Sequence, residues 1–242
     1  GTRMKADREL TLDLTRVVCV LLVVGIHLLQ VGIGFDSAGA LVINRPAEEQ
    51  PWFAIATWFG QVMPLFFVVG GFAAAAGWAS HTSRGGDAAS YVRARTLRLA
   101  QPAFPLFVFF ALALGIATLL GLAPDVVAAA ATGAGMPLWF LAAYVLVQTA
   151  VPRMTHWDAV APRTTMALLL LGVIAVDALR YSTGISDIGL INLALVWLLA
   201  QQLGFWYFRG VFDRPAVVLI GVAVLSYLVL AALVAWGPYS SN

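Results

Sequence analysis

The stretch Leu10-Thr-Leu-Asp13-Leu-Thr-Arg16-Val-Val-Cys19-Val-Leu-Leu-Val-Val-Gly25-Ile-His27-Leu-Leu-Gln30 decides how the chain is read. It is apolar enough to enter a bilayer, yet it carries an arginine near its start and a histidine further on. At about 100° per residue, the eleven steps between them make three turns plus roughly 20°, with a rise of about 16 Å. A helix here sets Arg16 and His27 on one face, the arginine near a membrane surface and the histidine about halfway through. Ionisable groups at that depth face the protein interior or a watery cavity and mark a site or a pathway. Each alone has a plainer reading: Arg16 as a snorkelling anchor, His27 as a packing residue bonded to a neighbouring helix. Together on one face, with Gln30 near the same side, they favour a site.

Composition places this segment in a membrane protein. Of 242 residues, 61% are hydrophobic and 11% charged, and the mean hydropathy is +0.89, whereas soluble domains carry about 25% charged residues. The formal net charge of +2 comes with no separate basic stripe, which argues against nucleic-acid binding. The single cysteine, Cys19, excludes an intrachain disulfide and a cysteine-based zinc site, and no metal-ligand spacing occurs elsewhere. Ala38-Gly39-Ala40 resembles a signal-peptidase site. The polar interruptions before it and the spans after it argue against cleavage.

Hydropathy predicts an all-α, polytopic helix bundle of about seven spans, forming one domain over the whole chain. The expected spans are Val17 to Phe35, Ala56 to Ala79, Leu99 to Leu122, Pro137 to Val151, Thr165 to Leu179, Gly189 to Phe208 and Ala216 to Trp236. With a cytoplasmic N-terminus, only Arg45 and Arg180 of the 14 basic residues fall outside, which satisfies the positive-inside rule. Most tryptophans fall near span ends, as interfacial anchors do. The chain ends just after an outward span, which leads us to expect further helices beyond Asn242.

Three other features stand out. Tyr91-Val-Arg93-Ala-Arg95-Thr-Leu-Arg98 is an inner loop in which a helix would place Arg95 and Arg98 on one face and Arg93 elsewhere. Arginine forks suit phosphate oxygens, although such residues also enforce topology or touch anionic lipid. Phe66-Phe-Val-Val-Gly70-Gly71-Phe72 and the alanines after it allow close helix approach, which we read as packing around the first helix. Asp177 and Arg180, three apart near the outer surface, form a plausible pair, and His81 and His156 are read as solvated loop residues.

These residues resemble those of a known family. Leu12-Asp13-Leu-Thr-Arg16 followed by His27 is similar to the first-helix signature of acyltransferase family 3, the O-antigen and exopolysaccharide O-acetyltransferases. Phe66 to Phe72 resembles that family's aromatic, glycine-containing second-helix motif. Arg95-Thr-Leu-Arg98 resembles its Arg-x-x-Arg loop, and Pro137-Leu-Trp139-Phe-Leu its Leu-Trp-Phe-Leu segment. The resemblance implies a multi-pass protein of the bacterial cytoplasmic membrane. It implies transfer of an acyl group, acetyl first, from cytoplasmic acyl-CoA to a hydroxyl of a carbohydrate or glycolipid, with no metal. By that resemblance His27 is general base or acyl carrier, and Arg16 stabilises negative charge or holds the pantetheine-phosphate end. Arg95 and Arg98, with Arg93 beside them, bind coenzyme A phosphates; Asp13 orients Arg16, and Trp139 forms a wall of the site. Family members have about ten helices, so a late-helix carboxylate assisting His27 would lie outside this chain. A transporter or flippase with a proton-relaying His27 is the alternative. Paired glycine-broken helices in two related halves would favour it, and the sequence shows none.

Overall fold

The computed structural model describes residues 62–237 apart from 102, the segments 32–35 and 41–44, and a few single positions before residue 62. For 125, 129 and 132–139 it describes the backbone alone. Eight α-helices follow one another among the described residues from 62 onward: α1 Val62–Ser83, α2 Ala88–Ala100, α3 Ala103–Leu119, α4 Pro124–Thr149, α5 Val151–Val160, α6 Pro162–Thr183, α7 Gly189–Phe208 and α8 Ala216–Trp236. Among the described residues five segments are long and apolar enough to cross a membrane. The protein is an α-helical polytopic bundle, as its hydropathy predicts.

Several boundaries differ from the expected ones. The first span was expected to run to Phe35, but Gly32–Phe35 is a strand, β1, paired antiparallel with β2, Leu41–Asn44. Gly32 and Gly34 are poor helix formers, and turn-forming Ser37 and Gly39 follow before a β-branched run. The fourth span was expected to begin at Pro137. Instead α4 begins at Pro124 and runs for 26 residues, about 39 Å of helix. Pro124 at its first position is preset for helix, and the alanines after it propagate the turn through Gly133 and Gly135. The fifth span lengthens to Pro162–Thr183, opened by a proline and closed by Gly184 at φ 71°, the left-handed conformation that ends helices. Leu99, expected to open the third span, belongs to α2. That helix ends at Ala100, and α3 begins at Ala103.

The chain divides into two compact units, Phe67–Phe205 and Gly1–Phe66 with Trp206–Asn242. The second of these contains α8, which is apolar around its whole circumference and buries no residue, as expected of a helix bathed in lipid. The unit Phe67–Phe205 holds the packed core. Ala74, Ala75, Tyr91, Val151, Met154 and Phe205 form a buried cluster. Beside it Phe67 stacks on Trp197, centroids 4.3 Å apart, and meets Tyr144 and Phe140 edge-on. The small-residue run lets α7 approach, because a Cβ on Gly71 would overlap the Gln201 carbonyl and one on Gly204 would overlap Val68. Gly70 does the same for Tyr144, whose hydroxyl would lie 2.8 Å from a Cβ there. The described partners of this run are therefore α7 and α4; the first helix, expected to pack there, lies largely outside the described residues.

Candidate functional site

The site grows from the junction of α1 and α2. α1 ends at Ser83, and the chain reverses through Gly85, at φ 79°, and Gly86. A Cβ on Gly86 would overlap the His81 ring, so this glycine lets the imidazole fold back over the turn. His81 Nε2 lies 3.2 Å from the Asp87 carbonyl and 2.9 Å from Ser90 Oγ. A carbonyl can only accept, so Nε2 carries the hydrogen. His81 was expected to be solvated; it is instead the brace between the end of α1 and the start of α2.

Asp87 caps α2, accepting the Ser90 N–H at 3.0 Å while the Ser90 hydroxyl returns to the Asp87 backbone. The Ser90 hydroxyl first, then its amide, hold the Asp87 carboxyl below its ordinary value. Four residues on, the buried Tyr91 donates its hydroxyl to the Ala74 carbonyl at 3.1 Å and packs edge-on against Trp78. This anchor fixes the rotation of α2 about its axis.

Tyr91, Arg95 and Arg98 are spaced four and three apart, so pinning Tyr91 turns both arginines to the same side. They line a cleft of about 190 Å³ with Gly77, Ser80, His81, Arg84 and Ala94. Arg84 is steadied by a 2.7 Å bond from Nη1 to Ser80 Oγ. Three guanidinium groups and an imidazole thus converge, and among the described residues no carboxylate lines the cleft. The spacing separated Arg95 and Arg98 from Arg93 correctly: Arg93 is exposed and does not line the cleft. His81 and Arg84 were missed as partners because the turn that brings them in depends on Gly85 and Gly86.

Arg95 is further held from below. Its Nε donates to Gln148 Oε1 at 3.1 Å, and Gln148, in the last turn of α4, is 2% exposed. Next to it, the Val147 carbonyl accepts from Gln201 Nε2 at 3.0 Å, and Gln202 Nε2 donates to Asp158, another buried side chain. Gln201 Oε1, Gln202 Oε1, Asn192 Oδ1 and Trp197 Nε1 are buried with no hydrogen-bond partner among the described residues. At the opposite end of α6, Asp177 accepts from Asn192 Nδ2 at 2.8 Å, and Arg180 lies 5.7 Å from the centre of the Tyr181 ring.

A larger groove, about 320 Å³, runs between α5 and α6 and is lined by Met154, Trp157, Val160, Leu168 and other mainly apolar groups. Its Thr165 hydroxyl is used within its own helix, on the Ala161 carbonyl. Mainly apolar and with no charged group among its described lining residues, it suits hydrocarbon. Of the other expected site residues, Asp13, Arg16 and His27 lie outside the described residues, and Trp139 falls in α4 with its side chain outside them. No group of metal-binding side chains occurs among the described residues.

No curated protein and no solved structure matches the chain. The family model described as an acyltransferase domain matches residues 9–242, nearly the whole length. The first-helix segment, the small-residue run, the arginine loop and the α4 segment all lie within the match. The chain therefore belongs to acyltransferase family 3 and is a multi-pass membrane acyltransferase.

Proposed function

We propose that this acyltransferase takes an acyl group, acetyl first, from cytoplasmic acyl-CoA and delivers it to a hydroxyl of a carbohydrate or glycolipid, in the bacterial cytoplasmic membrane. The observation that supports this best is the cleft in which Arg84, Arg95, Arg98 and His81 converge with no carboxylate among the described lining residues. Such a donor set fits phosphate oxygens, which accept bidentate arginine bonds. Its volume of about 190 Å³ suits a phosphate group, with the rest of coenzyme A extending outside it. Arg93, exposed and away from the cleft, contributes long-range attraction at most.

The acyl-transfer step belongs to the first helix. Leu14, Val17, Val18, Leu21 and Leu22 are helical and exposed. On a wheel drawn from the sequence they share one side, and Arg16 and His27 fall on the other. His27 accepts the proton of the acceptor hydroxyl as its oxygen attacks the thioester carbonyl. The carbon–sulfur bond then breaks, and the proton passes to the departing thiolate of coenzyme A. Arg16, oriented by Asp13, stabilises the negative charge that develops on the carbonyl oxygen or holds the pantetheine-phosphate end of the donor. Trp139 walls the acyl group.

Membranes containing the chain, given acetyl-CoA labelled in the acetyl group, should transfer label to a carbohydrate or lipid fraction. His27→Ala should abolish transfer while leaving membrane insertion intact. Undiminished turnover in that variant would sink the proposal.

A further inference from the structure

We infer that Gln148 is the positioning residue of the donor site: it aims Arg95 at the anion without cancelling its charge. The inference rests on the proposed reading of the cleft as the acyl-CoA phosphate site.

A guanidinium offers five N–H donors in a rigid plane: one on Nε and two on each Nη. In Arg95 the Nε donor is committed to Gln148 Oε1 at 3.1 Å, and neither Nη makes a hydrogen bond among the described residues. Holding Nε sets the plane of the group and leaves both Nη nitrogens to project as a fork, the arrangement that meets two phosphate oxygens at once. Arg98, on the same side of α2, is exposed and has no side-chain partner among the described residues, so it can follow its ligand. Arg95 is half-buried and pre-aimed. The two arginines therefore differ in kind: one fixed, one adaptable.

The identity of the holding group matters. The usual partner for a half-buried arginine is a carboxylate, which would orient it equally well and neutralise it. An amide oxygen orients through a single hydrogen bond and leaves the full positive charge facing the cleft. Gln148 can do this reliably because it is 2% exposed and seated in the last turn of α4. Pro152 has no N–H to offer the Gln148 carbonyl, so the α-helical ladder is interrupted there and α5 begins as a separate helix. A side chain so enclosed has few other rotamers to visit.

The test measures binding of coenzyme A itself to the full chain purified in detergent, by titration calorimetry at two salt concentrations, for the wild type, R95A, Q148M and Q148E. Q148M keeps the shape and removes the acceptor; it should weaken binding roughly tenfold. Q148E holds Arg95 more firmly but cancels its charge. It should weaken binding at least as much, with a smaller dependence on salt than the wild type shows. A residue that merely supports the fold predicts the reverse for Q148E: near wild-type affinity and an unchanged or raised unfolding temperature. That result would overturn the inference, as would Q148M binding within about twofold of wild type while R95A is weakened. Wild-type affinity in R95A would instead remove the donor-site reading itself, and this inference with it. Should Q148M fail to fold, Q148E, which keeps both shape and hydrogen bond, decides the matter alone.

Discussion

Replacing Gly204 by alanine tests the close crossing of α1 and α7. A Cβ at this position would lie 2.6 Å from the Phe72 nitrogen and 2.8 Å from the Gly71 Cα, and would overlap the Val68 carbonyl. These are backbone atoms of α1, so no side chain can swing aside. Reaching ordinary contact distances requires α1 and α7 to part by about 1 Å, which loosens the dispersion contacts between them. Phe205 and Ala74, both essentially fully buried, lie next to or within that contact zone. Overpacking of this kind costs about 1–3 kcal/mol, offset by about 0.5–1 kcal/mol from replacing a helical glycine with alanine. The net expectation is a loss of about 0–2.5 kcal/mol, towards the upper end because the atoms met are backbone, and in a chain of this size each kcal/mol lowers the unfolding temperature by about 2–4 °C. The controls are Gly115→Ala in α3 and Gly221→Ala in α8, where an added Cβ meets nothing within 4 Å. Reversible unfolding in mixed micelles, followed by tryptophan fluorescence, should rank Gly204→Ala below wild type and both controls at or above it. If Gly204→Ala is as stable as Gly115→Ala, the crossing geometry argued here is wrong.

Arg95→Ala and Arg98→Ala should each weaken coenzyme A binding by about tenfold or more at low salt, and Arg93→Ala by less than about twofold; titration of all three separates ligand arginines from topology arginines. Tyr91→Phe removes the bond to the Ala74 carbonyl and should cost about 1 kcal/mol, read in the same unfolding assay, with a parallel fall in coenzyme A affinity as α2 loses its fixed rotation. The Asp87 carboxyl is held below its ordinary value by Ser90, so its cap is fully present above that ordinary value and is lost as pH falls through the lowered one. Amide exchange at the first turn of α2 should therefore lose protection on acidification in the wild type. In Asp87→Ala it should be unprotected at every pH.

How much of this was legible before folding depends on whether the deciding interaction is local. The membrane class, the bundle and the separation of Arg93 from Arg95 and Arg98 follow from composition and helical spacing, which tertiary contacts leave intact. The fourth span was expected to begin at Pro137, whereas Pro124 at the helix start and the alanines after it carry α4 through Gly133 and Gly135. His81 read as solvated because its role depends on Gly86, whose missing side chain makes room for the ring. Gln148 stood in the sequence as one more polar residue in a span. Its partner Arg95 is 53 positions away, and no periodicity reports a contact at that separation.

The arginines of α2 have two readings in the sequence, as topology signals or as ligand donors, and the structure supplies the distinction that counting charges cannot. A topology signal needs only that positive charge remain on one side, so direction and partner are immaterial. Arg93 meets that description: it is exposed and does not line the cleft. Arg95 does not. It is half-buried at the edge of an apolar bundle, where an unheld guanidinium would swing out to water, and it is kept in place by a buried neutral acceptor. Burying part of a cation without a counter-ion is unfavourable, and a carboxylate at residue 148 would relieve that cost within the protein. A glutamine leaves the charge unbalanced and directed at the cleft shared with Arg84 and Arg98. A cleft that gathers like charges with no carboxylate among its described lining residues is stabilised by an anion arriving from outside, and the phosphate-bearing donor proposed above is an anion that fits it.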